Sequence, residues 1–217
     1  MIVYYMMSYG NRPGESHRLL ADAIADYLRN SDAAKSGSAS GCKKAADEMV
    51  SRIKTRGQGK PYIEDFKEFS ISHSENAWAV AISDAECGLD IQFERDARLD
   101  AISQRIYDPA DAEAVRCAAE GSADGSDVRA VFFNIWVRRE ALAKAMGNSA
   151  FESSLPSVLG DAVRVSHDGT AREYTLRDLS IPYEGGRSGA VLHAAICTEG
   201  DSAKESIIYR ELTDLSK

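Results

Sequence analysis

Asp90 and Gln92 are suited to forming one side of a cation site. They stand two positions apart in the apolar stretch 87–92. On a β-strand, residues two apart point to the same face, so both side chains would face one way while Leu89 and Ile91 face the core. A carboxylate followed by a second oxygen ligand suits a hard cation such as Mg²⁺. A strand with a polar outer face is the plainer interpretation, and this short segment alone leaves it open.

A second group lies on the strongest predicted helix, residues 128–146, which Gly147 ends. Trp136, Glu140 and Lys144 are spaced four apart and therefore share one helix face. A carboxylate beside an amine suits a metal–phosphate site, with the carboxylate on the cation and the amine on phosphate oxygens. The alternative is a surface Glu–Lys pair that stabilises the helix by about 0.2–0.5 kcal/mol. Because Trp136 belongs to the apolar face, we expect the pair at the edge of that face.

Two shorter segments offer donors for phosphate. Ser72 and His73 end a predicted strand and supply a hydroxyl and an imidazole, although a lone histidine there is often structural or exposed. Lys60 lies in the turn Gly59-Lys60-Pro61. The sequence has no GxxxxGK[ST], GxGxxG, HExxH or GxSxG motif, so P-loop, dinucleotide-binding, zincin and serine-hydrolase interpretations lack support.

Charge and composition exclude several classes of protein. Among 217 residues, 26 Lys and Arg face 34 Asp and Glu, which gives a formal net charge of −8. A general nucleic-acid binder needs a basic face, so we expect no nucleic-acid partner. No window of about 18 apolar residues is present, so we expect no membrane partner. The four cysteines are far apart and without zinc-like spacing, which predicts reduced thiols in a cytoplasmic protein, with disulfides left open.

The order of predicted elements indicates an α+β protein of two comparable halves, residues 1–97 and 98–217. Residues 1–7 are apolar without a basic segment or cleavage site, which favours a buried strand over a signal peptide. Residues 30–47 read as a mobile loop or frayed helix, and 121–127 as a polar loop. The predicted helices are 16–28, 99–119 and 128–146, and the predicted strands are 2–9, 69–72, 77–82, 87–92, 162–166, 171–177, 189–197 and 205–211.

Taken in order, these segments resemble the 4′-phosphopantetheinyl transferases of the Sfp type. The family has a Gly-Lys-Pro turn, a Phe-Asn-hydrophobic-Ser-His-Ser strand, a Gly-hydrophobic-Asp-hydrophobic-Glu strand and a Trp-x-x-Lys-Glu-x-x-x-Lys helix. The corresponding segments here are 59–61, 69–74, 88–92 and 136–144. Each motif alone is weak, but four in the right order and spacing are strong evidence. Residues 19–22 resemble the family's first-half helix and residues 162–169 its second-half hairpin, so the resemblance covers nearly the whole chain.

The resemblance implies a fold and a reaction. The fold would be two similar halves related by a pseudo-twofold axis, each a small sheet packed on helices, with the active site in the cleft between them. The reaction would be Mg²⁺-dependent transfer of the 4′-phosphopantetheine arm of coenzyme A to a serine of an apo acyl or peptidyl carrier protein. Adenosine 3′,5′-bisphosphate would be released, and Mn²⁺ is a possible substitute for Mg²⁺.

The resemblance also implies roles for individual residues. Asp90, Gln92 and Glu140 would hold the metal ion against the pyrophosphate, and Glu140 would help deprotonate the incoming serine, directly or through water. Lys144 would neutralise charge on the pyrophosphate and the leaving group. The residues that would contact the phosphates of coenzyme A are Lys60, Ser72, His73 and Lys144.

Three positions depart from the family pattern. Gln92 replaces a glutamate, which exchanges a charged ligand for a neutral oxygen and should lower metal affinity or admit a water. Arg139 replaces a common lysine, which keeps the charge but changes its geometry. Val137 stands where a small hydroxyl residue is frequent.

Two further assignments follow from the resemblance. A third family acid, a general base or ligand, corresponds to Asp111, with Glu113 as the alternative. Many relatives carry a basic helix before the first-half Leu-Leu helix; this chain has only residues 10–16 there, so His17 and Arg18 are the substitutes for contacting coenzyme A.

Two other interpretations remain. Gln92 and the missing basic helix favour a non-catalytic relative that binds coenzyme A or a nucleotide. A structural or protein-binding module would use Glu140 and Lys144 only as a surface pair. The resemblance favours a monomer, because both halves of the cleft belong to one chain, and leaves open which carrier protein is served and whether acylated coenzyme A is accepted.

Overall fold

Two four-stranded sheets pack on each other in the middle of the molecule, and helices cover both outer sides. The structure is a computed structural model that describes residues 1–31, 38–121, 126–148, 155–167, 170–183, 191–200 and 205–212. The helices are α1 (Glu15–Asn30), α2 (Ala39–Ser51), α3 (Leu99–Ile106), α4 (Pro109–Gly121) and α5 (Ser126–Met146). The strands are β1 (Ile2–Met6), β2 (Lys54–Arg56), β3 (Lys60–Tyr62), β4 (Glu68–Ser74), β5 (Ala77–Ser83), β6 (Cys87–Phe93), β7 (Ala162–His167), β8 (Thr170–Asp178), β9 (Leu192–Glu199) and β10 (Ile208–Glu211).

The strand order shows that each sheet combines strands from the N-terminal and the C-terminal parts of the chain. One sheet has the order β10-β1-β5-β4, and the other has the order β6-β9-β8-β7. Strand β10 pairs in parallel with β1, and β6 pairs antiparallel with β9. The predicted α+β class is therefore confirmed. The pseudo-twofold axis and the boundary at residue 97 stay predictions, and hydrogen-bonded sheets join residues from both sides of that boundary.

The first sheet presents small side chains to the second. Ser70, Ser72 and Ser74 of β4 lie opposite Ala81, Ala79 and Ala77 of β5, so all six share one face. The β5 alanines pack with apolar residues of β6 and β9 in one buried cluster, whereas Trp78 and Val80 face α1 and α2. Small residues on the inner face allow the second sheet to approach closely.

Strand β6 binds β4 through serine side chains rather than through a backbone ladder. The hydroxyls of Ser70, Ser72 and Ser74 accept hydrogen bonds from the backbone N–H groups of Leu89, Ile91 and Phe93 at 2.9, 3.2 and 3.0 Å. All three serines are buried. We call this set the serine ladder. It satisfies the edge of β6 that β9 leaves unpaired, and it fixes the register of β6 on the first sheet.

Helix α5 lies almost directly on β6, because one glycine leaves room for it. A Cβ atom at Gly88 would be 2.0 Å from the carbonyl oxygen of Ala141 and 2.4 Å from the backbone nitrogen of Ala145. The helix ends as predicted at Gly147, whose φ of 71° is left-handed. Asn148 N–H bonds to Ala143 O at 2.8 Å, which completes a Schellman cap. This contact brings the α5 side chains onto the face of β6 that carries Asp90.

Several local expectations need correction. Residues 39–47, predicted as a mobile loop or frayed helix, belong to the ordered helix α2, which buries Cys42, Ala46 and Val50. Helix α5 begins at Ser126, inside the predicted polar loop. Residues 32–37 and 122–125 lie outside the described residues, as does the turn centre at 168–169, although β7 and β8 pair antiparallel around it.

Two observations bear on expectations about cysteines and membranes. The cysteines are free thiols in the structure, with Cys42, Cys87 and Cys197 buried and Cys117 exposed. None of the helices in the described ranges combines the length and the apolar character that crossing a membrane requires.

We predict that Gly88→Ala destabilises the protein by about 3 kcal/mol or more, because the new methyl group would overlap backbone atoms of α5 that cannot rotate away. Chemical denaturation followed by circular dichroism measures this loss. Gly121→Ala is the matched control, since a Cβ there has no neighbour within 4 Å. The control should change stability by no more than about 0.5 kcal/mol. Equal stability of the two variants would contradict the close α5–β6 contact.

Candidate active site

The structure brings Asp90, Glu140 and Lys144 together beside β6 and α5. They line one cavity of about 250 Å³, whose other polar or aromatic lining residues are Ser72, His73, Gln92 and Trp136. A second cavity of about 390 Å³ shares Glu140 and Lys144 and adds Lys60. Residues from the serine-ladder strand, from β6 and from α5 therefore meet at two adjoining cavities.

Lys144 holds the buried carboxylate of Asp90. Its ammonium donates to Asp90 Oδ1 at 2.7 Å, Leu89 O at 3.1 Å and Ser72 Oγ at 3.2 Å. These three acceptors use all the donors of an ammonium group. Asp90 is only 6% exposed, so the interpretation of β6 as a strand with a polar outer face is wrong. The interpretation of Glu140 and Lys144 as a simple surface pair is also wrong, because the lysine binds β6 instead.

Ser72 positions Asp90. Its hydroxyl donates to Asp90 Oδ1 at 2.7 Å and accepts from Ile91 N and Lys144 Nζ. A hydroxyl has one hydrogen to donate and two lone pairs, so these bonds fill its capacity. Contact between Ser72 and a phosphate stays a prediction, and it would require one of these bonds to break.

The side-chain amide of Gln92 is oriented by its neighbours. Its Nε2 donates to Phe93 O at 2.9 Å and to Ser74 Oγ at 3.2 Å. A carbonyl oxygen can only accept, so the amide nitrogen must face Phe93 and cannot be exchanged with the oxygen. The amide oxygen is therefore the atom that Gln92 has left to offer a ligand.

Glu140 carries a half-buried carboxylate that has no hydrogen bond or ion pair with any residue the structure describes. Burial raises the pKa of Glu140 above its ordinary value of 4.5, and the nearby Asp90 carboxylate raises it further. Lys144 and Arg139 act in the opposite direction but do not cancel these effects. The cavity thus holds two carboxylates and one lysine, which is ion-paired with Asp90. A bound cation would stabilise such a site.

The donor set fits a magnesium ion. Asp90 and Glu140 supply carboxylates and Gln92 a neutral oxygen, which are the hard ligands that Mg²⁺ takes while keeping several waters. No group of three or more His, Cys, Asp and Glu suited to a metal occurs within the described ranges. The site therefore resembles one where the metal is shared with a bound phosphate group rather than held in an all-protein cage.

Lys60 is buried at the C-terminal end of α5. Its ammonium donates to Ala145 O at 3.2 Å and Glu86 Oε1 at 3.3 Å. Gln58 N–H also bonds to Gly147 O, so the β2–β3 turn is docked on the helix end. A cation is favourable there because the last carbonyl groups of a helix carry partial negative charge. One donor of Lys60 remains for a ligand in the second cavity.

The remaining sequence-predicted residues have other surroundings. His73 is exposed, lines the smaller cavity and packs against Tyr9 with ring centroids 5.5 Å apart. Arg18 pairs with Asp22 at 3.4 Å on α1. Neither His17 nor Arg18 lines the two cavities. Their contact with coenzyme A stays a prediction.

Asp111 is fully buried away from these cavities. It accepts from Ser157 Oγ at 2.6 Å and Val158 N at 3.2 Å, and it pairs with Arg139 at 3.8 Å. Burial raises its pKa. Glu113 is exposed, and hydrogen bonds from Arg116 lower its pKa to about 2. The geometry thus gives Asp111 a structural setting, and the catalytic role of one of these two acids stays a prediction.

Sequence reasoning missed Ser70 and Ser74, which hold β6 and Gln92. The available signal was serine at every second position of one strand, at 70, 72 and 74. That pattern predicts that the three hydroxyls share one face. It does not distinguish a solvated face from one that binds a neighbouring strand.

Comparison with known proteins points to one superfamily. Residues 86–184 match the family model of the 4′-phosphopantetheinyl transferase superfamily (ACPS). The matched stretch contains Asp90, Gln92, Glu140 and Lys144, whereas Lys60, Ser72 and His73 precede it. The match supports phosphopantetheine transfer as the general activity. The curated proteins include no match to this chain.

We predict that Glu140→Gln raises the melting temperature at pH 7–8 in the presence of a chelator. The folded state raises the pKa of Glu140, so it binds this proton more tightly than the unfolded chain does. The ionised side chain therefore destabilises the fold above the folded pKa, and this effect is absent below the unfolded value of about 4.5. The advantage of the variant should grow as pH rises through that window, as measured by thermal unfolding at several pH values.

Glu113→Gln is the control of opposite sign. Arg116 lowers the pKa of Glu113, so its ionised form stabilises the fold and the substitution should only lower the melting temperature. A Glu140→Gln variant that loses stability at neutral pH would show that the carboxylate has a stabilising partner after all.

Proposed function

We propose that this protein transfers the 4′-phosphopantetheine arm of coenzyme A to a serine hydroxyl of an apo acyl or peptidyl carrier protein. The product besides the loaded carrier is adenosine 3′,5′-bisphosphate. The observation that carries the proposal is the half-buried, unpaired carboxylate of Glu140 beside Asp90 and Lys144. Its place within a phosphopantetheinyl transferase superfamily domain connects it to this chemistry.

The reaction exchanges one phosphorus–oxygen bond for another. The serine oxygen forms a bond to the phosphorus that bears pantetheine, and the bond from that phosphorus to the adenosine-side phosphate oxygen breaks. The serine proton passes to Glu140, directly or through a water. A raised pKa suits this task, because a carboxylate with a higher pKa is the stronger base.

The cationic side chains compensate the charge of the reacting phosphates. Lys144 lies at both cavities, where its ammonium can turn from Leu89 O or Ser72 Oγ towards a phosphate oxygen without leaving Asp90. Lys60 and His73 contact the phosphates of coenzyme A, with Ser72 a weaker candidate and His17 and Arg18 assigned to the more distant phosphate. Phosphoryl transfer depends mainly on such positioning and charge neutralisation.

Asp90 and Glu140 would hold Mg²⁺, or Mn²⁺ in its place, with the amide oxygen of Gln92 as a neutral ligand or the partner of a water. When bound, the ion supplies charge neutralisation on the pyrophosphate. Ser72 and Lys144 keep Asp90 in place, and Ser74 keeps the nitrogen of Gln92 turned away from the ligand side.

Gln92 also favours a second candidate function. A relative that binds coenzyme A without turning it over would tolerate a neutral residue at this position. It predicts heat on calorimetric titration with coenzyme A but no transfer, and recovery of transfer in Gln92→Glu. A structural module predicts neither heat nor a thermal shift.

We predict that an apo carrier protein gains the mass of one phosphopantetheine on its serine when mixed with this protein, coenzyme A and Mg²⁺. Intact-protein mass spectrometry measures the gain, and a chelator should abolish it. Glu140→Ala should nearly abolish transfer while the protein remains folded. Full turnover by Glu140→Ala would remove the base and ligand roles assigned to this residue.

We predict that Lys144→Met lowers kcat by about 10²–10³-fold, because a fixed cation that stabilises transition-state charge is lost. Steady-state kinetics with saturating coenzyme A measures the change. Lys67→Met, at an exposed lysine paired with Asp84, is the matched control and should leave kcat unchanged. Lys144→Met also leaves Asp90 buried and unpaired, so thermal unfolding should show a loss of stability, which the double variant Asp90→Asn/Lys144→Met should recover.

A further inference from the structure

We propose that Ser70 is a binding residue for coenzyme A, whose hydroxyl donates a hydrogen bond to a phosphate oxygen in the second cavity. This inference rests on the proposed function. Ser70 belongs to the serine ladder and lines the cavity of about 390 Å³ that also contains Lys60, Glu140 and Lys144. The family's Phe-Asn-hydrophobic-Ser-His-Ser strand has an asparagine at this position, whereas this chain supplies a hydroxyl.

The hydroxyl of Ser70 has a hydrogen to donate. Its oxygen accepts the backbone N–H of Leu89 at 2.9 Å. Among the residues that the structure describes, none accepts the hydroxyl hydrogen, although Ser70 is only 4% exposed. Buried polar groups in proteins almost always have a partner, because an unpaired one costs free energy. A ligand oxygen in the cavity would remove that cost.

The other two serines of the ladder differ from Ser70. The hydrogen-bonding capacity of Ser72 is filled by its neighbours. Ser74 accepts from the Phe93 N–H and from the amide of Gln92, and it lines neither cavity. Ser70 is therefore the ladder serine that both lines a cavity and can bind a ligand without breaking a bond it already makes.

The charges around the second cavity suit a phosphate group. Its described lining has two ammonium groups, those of Lys60 and Lys144, and one carboxylate, that of Glu140. Lys60 keeps one donor beyond its bonds to Glu86 and Ala145. A phosphate group has several acceptor oxygens, so it can bind two ammonium groups and a hydroxyl at the same time. The charge balance thus favours an anionic group beside Ser70.

The Ser70 hydroxyl makes the cavity selective for an acceptor. The bond from Leu89 holds the serine oxygen in place. A ligand without an oxygen opposite this hydroxyl leaves a buried donor unpaired, and sites built in this way discriminate strongly against such ligands. The bond to phosphate is present both in the substrate complex and in the transition state. Its loss should therefore raise KM for coenzyme A and leave kcat unchanged.

A direct test is calorimetric titration of the wild type and Ser70→Ala with coenzyme A in the presence of Mg²⁺. We expect the variant to have a Kd at least about tenfold higher, because a hydrogen bond to a charged group is lost. Ser83→Ala is the matched control, since Ser83 is 3% exposed, accepts the Ala85 N–H at 3.2 Å and lines neither cavity.

The control separates binding from stability. Each variant leaves one backbone N–H without its acceptor, so each should lower the melting temperature by about 2–4 °C. Only Ser70→Ala should lose affinity for coenzyme A. Wild-type affinity in Ser70→Ala, or an equal loss in both variants, would overturn the proposal. So would a fall in kcat of Ser70→Ala at an unchanged KM for coenzyme A.

A second ligand identifies the phosphate that Ser70 contacts. Dephospho-coenzyme A lacks the 3′-phosphate and keeps the pyrophosphate. If Ser70→Ala weakens both ligands equally, the contact is to the pyrophosphate. If the loss is confined to coenzyme A, the contact is to the 3′-phosphate.

The outcomes separate this inference from the proposed function. Titration needs no turnover, so a wild type that binds coenzyme A but modifies no carrier overturns the proposed function and leaves the role of Ser70 to the comparison of affinities. A wild type that transfers, with Ser70→Ala unchanged in KM and Kd for coenzyme A, overturns the role of Ser70 alone. A wild type that does not bind coenzyme A overturns both.

Discussion

The contact between β4 and β6 passes through serine hydroxyls, and the position of the candidate site depends on it. A backbone ladder at this place would merge the two sheets into one continuous sheet. Because the serine side chains accept the N–H groups of β6 instead, β6 packs against the face of the first sheet and keeps its own pairing with β9. The alternation of β6 then turns Asp90 and Gln92 to the side where Gly88 admits α5. Packing and hydrogen bonding thus place carboxylates from two elements at one cavity.

The same serines link the fold to the electrostatics. Ser72 supports the β6 backbone and also donates to Asp90, so the carboxylate that pairs with Lys144 is fixed by the contact that joins the sheets. Glu140 has no such partner and keeps a raised pKa. At the cavity, the carboxylates of Asp90 and Glu140 face the single ammonium of Lys144, a local balance that favours a bound cation.

The sequence predicted those parts that depend on local periodicity. The spacing of Glu140 and Lys144, the end of α5 at Gly147 and the alternation around Asp90 are all properties of single elements, and the structure has each of them. The parallel pairing of β10 with β1 and the partner of Lys144 were not predictable, because they depend on residues far apart in the chain. Helix α2 was missed since its buried face consists of Cys42, Ala46 and Val50, too few apolar residues to give a clear helical signal.

Gln92, which departs from the family pattern, has a defined place in the hydrogen bonding of the candidate site. A glutamate in the same position would place a carboxylate oxygen beside the carbonyl oxygen of Phe93, where Gln92 places an N–H donor. It would also add a third carboxylate around a cavity where one lysine is already committed to Asp90. The side-chain amide of Gln92 thus carries no charge, but its orientation is fixed by hydrogen bonds. Under the proposed function, metal affinity would then depend more on the phosphate groups that arrive with the substrate than on the protein, and we expect the ion and the substrate to bind as one unit.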